Sequence, residues 1–96
     1  MTPLTALNVH LIPSPLTKGS PIPECSAPPT IIKALPSMKL QILQQKLRKT
    51  FKVTPKAEMN LFLEMSDTVA ELESGDLHDL VWWGLDGGSN LFVYFP

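Results

Sequence analysis

The chain has 96 residues, 44% of them hydrophobic, and a formal net charge of −1 from eight Lys or Arg against nine Asp or Glu. That length suits one small domain with its own core, expected to span 1–96, and the charge balance lacks the cationic surplus through which proteins bind nucleic acid. Cys25 is the one cysteine, which excludes an internal disulfide and the cysteine clusters of structural zinc sites, and no apolar run reaches the ~20 residues of a membrane span.

Residues 4–12 alternate after Leu7, with Leu7, Val9 and Leu11 against Asn8, His10 and Ile12, the period of a half-buried strand. Residues 13–29 hold six prolines among Ser, Thr and Gly. Proline has no amide donor for helix or ladder, so this stretch is expected to be a long, mobile loop inserted between two strands. Thr30 to Leu35 is short and β-branched at its start and is stopped by Pro36, a natural partner for the first strand.

Ser37 reads as a helix N-cap, and Leu40, Leu43, Leu47 and Phe51 recur at helical spacing over 38–52. The opposite face carries Lys39, Gln41, Gln44, Gln45, Arg48, Lys49 and Lys52. Val53 and Thr54 before Pro55 end the helix, because the residue before proline avoids the helical region. Residues 60–65 alternate again, Leu61, Leu63 and Met65 on one side and Asn60, Phe62 and Glu64 on the other. Residues 68–73 form a short strand, and Ser74-Gly75-Asp76 a turn in which Asp76 caps one helical turn through Leu80. Trp82 and Trp83 are adjacent, so one is expected in the core and the other partly exposed. Asp86-Gly87-Gly88 then turns the chain into a last strand at 90–95.

A helix with one apolar stripe and a sheet with one apolar face must bury them against each other. The first and last strands can lie side by side in parallel, with all the intervening chain as their crossover. The expected fold is therefore α+β, a β-grasp in which one helix lies across a mixed sheet of four to five strands.

Within this frame, Leu35-Pro36-Ser37-Met38, Lys52-Val53 and Leu91-Phe92-Val93-Tyr94 resemble the C-terminal ubiquitin-like domain of tubulin-specific chaperone E, with similarity over 35–95. The resemblance implies a non-catalytic adaptor in the folding or dissociation of the α/β-tubulin heterodimer. It implies protein partners drawn from tubulin, another tubulin-folding cofactor or proteasome subunits, and association with the cytoskeleton. A single cysteine and the lack of a signal-peptide pattern read as cytoplasmic, and the isolated domain is expected to be a monomer without cofactors. Larger family members also carry a glycine-rich microtubule-binding domain and leucine-rich repeats, neither present in these residues, so the chain looks like an excised domain. The loop at 13–29 departs from the tight hairpin of ubiquitin. Two alternatives stand beside this reading: a ubiquitin-like adaptor domain of an unrelated protein, and a ubiquitin-like modifier. The modifier is disfavoured because the chain ends Val93-Tyr94-Phe95-Pro96, and its one Gly-Gly, Gly87-Gly88, is explained by a turn.

Catalysis needs convergent polar groups of tuned acidity, and beyond ordinary carboxylates the sequence offers Cys25, His10 and His78. Cys25, between Glu24 and Ser26 in the loop, reads as an exposed inert thiol. His10 reads as facing solvent on the sheet and His78 as a surface residue, so no enzyme is expected.

Two surfaces are candidates for protein binding. If Leu61, Leu63, Leu91, Val93 and Phe95 face the helix, period-two geometry sends Phe62, Phe92 and Tyr94 to the other side, near His10 and Ile12. An exposed aromatic cluster there would be the interface, on the sheet face that ubiquitin-like domains generally use. Serine at Phe62 and Tyr94 would then weaken partner binding and leave the fold intact. Alternatively, a neighbouring domain or the proline-rich loop covers those rings, and they belong to the core. The second surface is a basic dock for acidic partners formed by Lys46, Arg48, Lys49, Lys52 and Lys56, set against acids that all but Glu24 fall between Glu58 and Asp86. The plainer account of those cations is a solvated helix face favoured by the helix dipole.

Overall fold

The computed structural model describes residues 4–17, 19–24, 27–72, 78–85 and 87–96. Strands β1 (Thr5–Leu11) and β2 (Thr30–Ala34) are followed by helix α1 (Leu40–Thr50), then by β3 (Asn60–Glu64), β4 (Val69–Leu72) and β5 (Asn90–Tyr94). The strands form one sheet in the order β2-β1-β5-β3-β4. β1 runs antiparallel to β2 and parallel to β5, with Val9 opposite Leu91 and His10 opposite Phe92. β3 is antiparallel to both β5 and β4, Phe62 lying opposite Phe92 on one side and Glu71 on the other. The terminal strands are thus side by side, as the element order allows.

α1 lies over one face because its stripe and the sheet's inward residues have nowhere else to leave water. Leu40, Leu43 and Leu47 are fully buried among Leu7, Val9, Ile32, Leu61, Leu63, Leu91 and Val93, with Phe51 and Phe95 packed at the margin. Each such leucine stabilises the fold by about 1.5–3 kcal/mol relative to exposure. Met59, Leu80 and Leu85 complete this core from the connecting segments.

The helix starts later than its sequence suggests. Its N-cap is Lys39, with no capping side chain. Ser37 sits in a turn closed by Met38 N donating to Leu35 O at 2.9 Å, so it is not the cap. The first helical amide is met from outside, Leu40 N donating to His78 O at 3.0 Å, while Leu80 N donates to Met38 O at 3.0 Å. A neighbouring backbone segment therefore supplies an acceptor that a side chain commonly provides. At the other end the helix closes in a Schellman pattern. Val53 N donates to Arg48 O at 3.0 Å and Lys52 N to Lys49 O at 3.2 Å, which puts Lys52 in the left-handed region at φ +58°.

Two strand ends are also corrected. β3 stops at Glu64; the Met65 amide donates to Thr68 O at 2.8 Å across the β3–β4 turn, and the Met65 side chain is exposed. β4 begins at Val69, Thr68 forming an isolated bridge to Pro21. Gly87-Gly88 lies in the turn before β5, where Gly88 has φ +90° and its amide donates to Ala6 O at 2.9 Å. Trp82 is exposed and stacks on His78 at 3.8 Å, while Trp83 is half-buried against the core. The turn at 74–76 with its Asp76 cap, Asp86 and Cys25 all lie outside the described residues.

Candidate functional site

Phe62, Phe92 and Ile12 stand on the face away from α1, but that face is not open. Phe62 is 0%, Phe92 2% and Ile12 6% exposed. With Val69 they form a second buried cluster, against which Leu16, Ile22 and Tyr94 are partly buried. The cover is the proline-rich segment itself, the alternative to an exposed aromatic interface. It leaves β1 at Leu11, crosses beneath β5 and β3, and pairs with the outer edge of β4. There Gly19 N donates to Val69 O and Val69 N to Ser20 O, both at 3.0 Å. A side-chain contact of 2.8 Å between Thr17 Oγ1 and Ser20 Oγ tightens the turn that makes this pairing. The expected exposure of Phe62, Phe92 and Ile12 is therefore corrected. Period two set the direction of these side chains rightly, but nothing in that periodicity says which segment lies over them.

His10 is half-buried on the same face and stacks on Phe92 at 5.3 Å, so it does not simply face solvent. Tyr94 also keeps part of its surface in water. The five residues expected to bind a partner are thus together, but three of them are interior.

The other candidate surface is open. Beside α1 runs a groove of about 560 Å³ lined by Ile42, Gln45, Lys46, Arg48, Lys49, Val53 and Pro55. Ile42 is 53% exposed although it sits on a helix whose apolar stripe is otherwise buried. Val53 and Pro55 follow the Schellman turn, which swings the chain back along the helix and makes the second wall. Lys46 and Lys49 are exposed along the groove. Arg48 is half-buried, with Nε donating to Ala57 O at 2.7 Å, so part of this cation braces the loop after the helix. Lys46 Nζ donates to Lys33 O of β2. Lys52 and Lys56 are exposed but do not line the groove.

The groove therefore takes in only part of the charge run, and it has apolar lining residues that the charge run did not reveal. Ile42 was the signal in the sequence, a large apolar residue between Gln41, Gln45, Lys46 and Lys49, whereas Gln44, expected on that polar face, is buried. No helix among the described residues is long and apolar enough to cross a membrane.

Compared as sequence, the chain matches no family model and no curated protein. Compared as structure, it is similar to the C-terminal ubiquitin-like domain of mouse tubulin-specific chaperone e, with a TM-score of 0.72 and 22% identity over 99% of this chain and 89% of that one. It is also similar to a ubiquitin-like domain from tubulin-binding cofactor B, at 0.67 and 20% identity over 99% and 92%. A third likeness is to the ubiquitin-like domain of PLXNC1, at 0.67 and 19% identity over 97% and 99%. The first of these is the kind of domain that residues 35–38, 52–53 and 91–94 resemble. The sheet order, the helix across it and these three likenesses together give the chain the ubiquitin-like β-grasp fold.

Proposed function

We propose that this chain is a non-catalytic protein-interaction module that receives an acidic surface of a partner on the basic side of α1. The observation that carries the reading is the groove itself: Ile42, Val53 and Pro55 give it apolar contact area, and Lys46 and Lys49 put unlike charge in reach of an acidic ligand. A solvated helix face accounts for the lysines; the reading rests on Ile42, Val53 and Pro55 lining one groove with them.

The biological setting we infer is that of the tubulin-folding chaperones, in the cytoplasm and at the cytoskeleton. The support for it is the likeness to ubiquitin-like domains of two proteins named for tubulin. Acting there, the domain would help fold or dissociate the α/β-tubulin heterodimer, tubulin's acidic surface being the natural occupant of the groove. Proteasome subunits and another tubulin-folding cofactor are further partners in the same reading.

The test is a titration of the domain with an acidic peptide that carries one apolar residue and imitates a tubulin tail, at low and high salt. Binding should weaken as salt rises. Lys46→Glu/Lys49→Glu should lower affinity about tenfold or more while the thermal unfolding midpoint stays nearly unchanged. Affinity that ignores both salt and charge reversal would refute the groove as the acidic dock.

A further inference from the structure

The cover on the sheet's second face behaves, in its contacts, like a bound peptide. It inserts Leu16 and Ile22 against Phe62, Phe92 and Val69. Between them it makes two main-chain hydrogen bonds to one residue of an edge strand, Val69, with Pro21 forming a bridge to Thr68. That is strand addition at a sheet edge, in which backbone pairing holds an extended segment and pockets take its apolar side chains.

The attachment is narrow. Pro13, Pro15, Pro21 and Pro23 carry no amide donors, so beyond the Gly19–Ser20 contact and the Pro21–Thr68 bridge these prolines have no donors of their own to add to the ladder. Leu16 and Ile22 are themselves only partly buried. A cavity of about 440 Å³ lies between the two legs of the segment, lined in part by Ile12, Pro13, Leu16, Pro23 and Ala27. What lies under the segment is, by contrast, well packed: Phe62 is fully buried and Phe92 nearly so. Phe62 and Phe92 are cross-strand partners in the β3–β5 ladder, whose pairs are made between those two strands and not with the loop.

We propose that the segment is a releasable strap, and that the groove it fills, along the outer edge of β4 and over Phe62 and Phe92, takes an extended apolar segment of a protein partner in its place. The occupant is specified by the strap: an extended chain that pairs with Val69 and sets two apolar side chains where Leu16 and Ile22 stand. Closed, the strap shields two phenylalanines from water. Open, it uncovers an unpaired edge beside an aromatic surface, the combination that extended peptides recognise. This site is separate from the groove along α1, so either can fail without the other.

Hydrogen exchange on the unmodified chain tests the release. The Val69 amide is held by Ser20 O, outside the ladders of the sheet, so strap opening should expose it at least about a hundredfold more often than the amides of β3 and β5 that need global unfolding. Equal protection of Val69 and those amides would overturn the proposal. The ligand arm uses a fluorescent peptide with the sequence of residues 13–24, titrated into the intact chain and into Leu16→Ser/Ile22→Ser, whose own strap is weakened as a competitor. The double variant should bind the peptide at least about tenfold more tightly than the unmodified chain. A folded double variant that binds no better would overturn the proposal, as would one that forms dimers by exchanging straps. If that variant does not fold, the exchange experiment decides alone.

Discussion

The two faces of the sheet are both buried, but by different means. The α1 face is closed by a regular element whose apolar residues repeat every three or four positions, so Leu40, Leu43 and Leu47 are buried in one core with residues from all five strands. The other face is closed by an irregular segment that touches it through Leu16 and Ile22 and fastens itself by backbone bonds to Val69. The turns of a helix support one another, because its hydrogen bonds form cooperatively. A proline-rich strap has no such cooperativity to lose. The same sheet therefore carries one permanent core and one core whose lid is locally held, and burial alone does not separate them.

Substitutions sharpen that contrast. The largest effect is expected at Phe62, the ring shared by the second core and the middle of the sheet: Phe62→Ser should destabilise by about 3–5 kcal/mol, read from chemical denaturation. Such a loss identifies Phe62 as structural, whereas an unchanged midpoint would restore it as a surface residue. Leu47→Ala on the helix side should cost about 2–5 kcal/mol, with a single cooperative transition retained. Ile22→Ala in the strap should cost only about 1–2 kcal/mol, since its side chain is partly in water already. A strap substitution as damaging as Leu47→Ala would erase the distinction between the two faces. Smallest of all, Lys52→Gly should stabilise by about 1 kcal/mol, because the left-handed conformation at φ +58° suits glycine and strains a side chain. Since Lys52 does not line the groove beside α1, that change should leave binding of an acidic peptide untouched.

How far the sequence reveals this molecule follows the same division. The helix, β1 and β3 are legible from periods of 3.6 and 2, β2 and β5 from β-branched residues and the proline and glycines that bound them, and the parallel pairing of β1 with β5 from element order, while β4 carries mixed signals. Boundaries slip where tertiary contacts decide them. Ser37 has the composition of an N-cap but is held in a turn, and His78 O satisfies Leu40 N from 38 positions away, a contact without a local signature. Met65 continues the alternation of β3 but is turned out by the hairpin.

For the candidate sites, period two gave the side of the sheet for Phe62 and Phe92 and could not give their cover. Leu16 and Ile22 recur at no structural period, and their prolines mark a loop without marking where it docks. The charge run on α1 pointed to Lys46 and Lys49, while the groove needs Val53 and Pro55, which the chain brings alongside only after the Schellman turn.

The claim that carries most weight is that residues 16 and 22 lie on the aromatic rings in solution. Nuclear Overhauser contacts between the methyl groups of Leu16 and Ile22 and the ring protons of Phe62 and Phe92 measure it directly. The account predicts strong cross-peaks to both rings in the unmodified chain. Rings that show no contact to either methyl, and that are instead reached by a soluble paramagnetic probe, would contradict it.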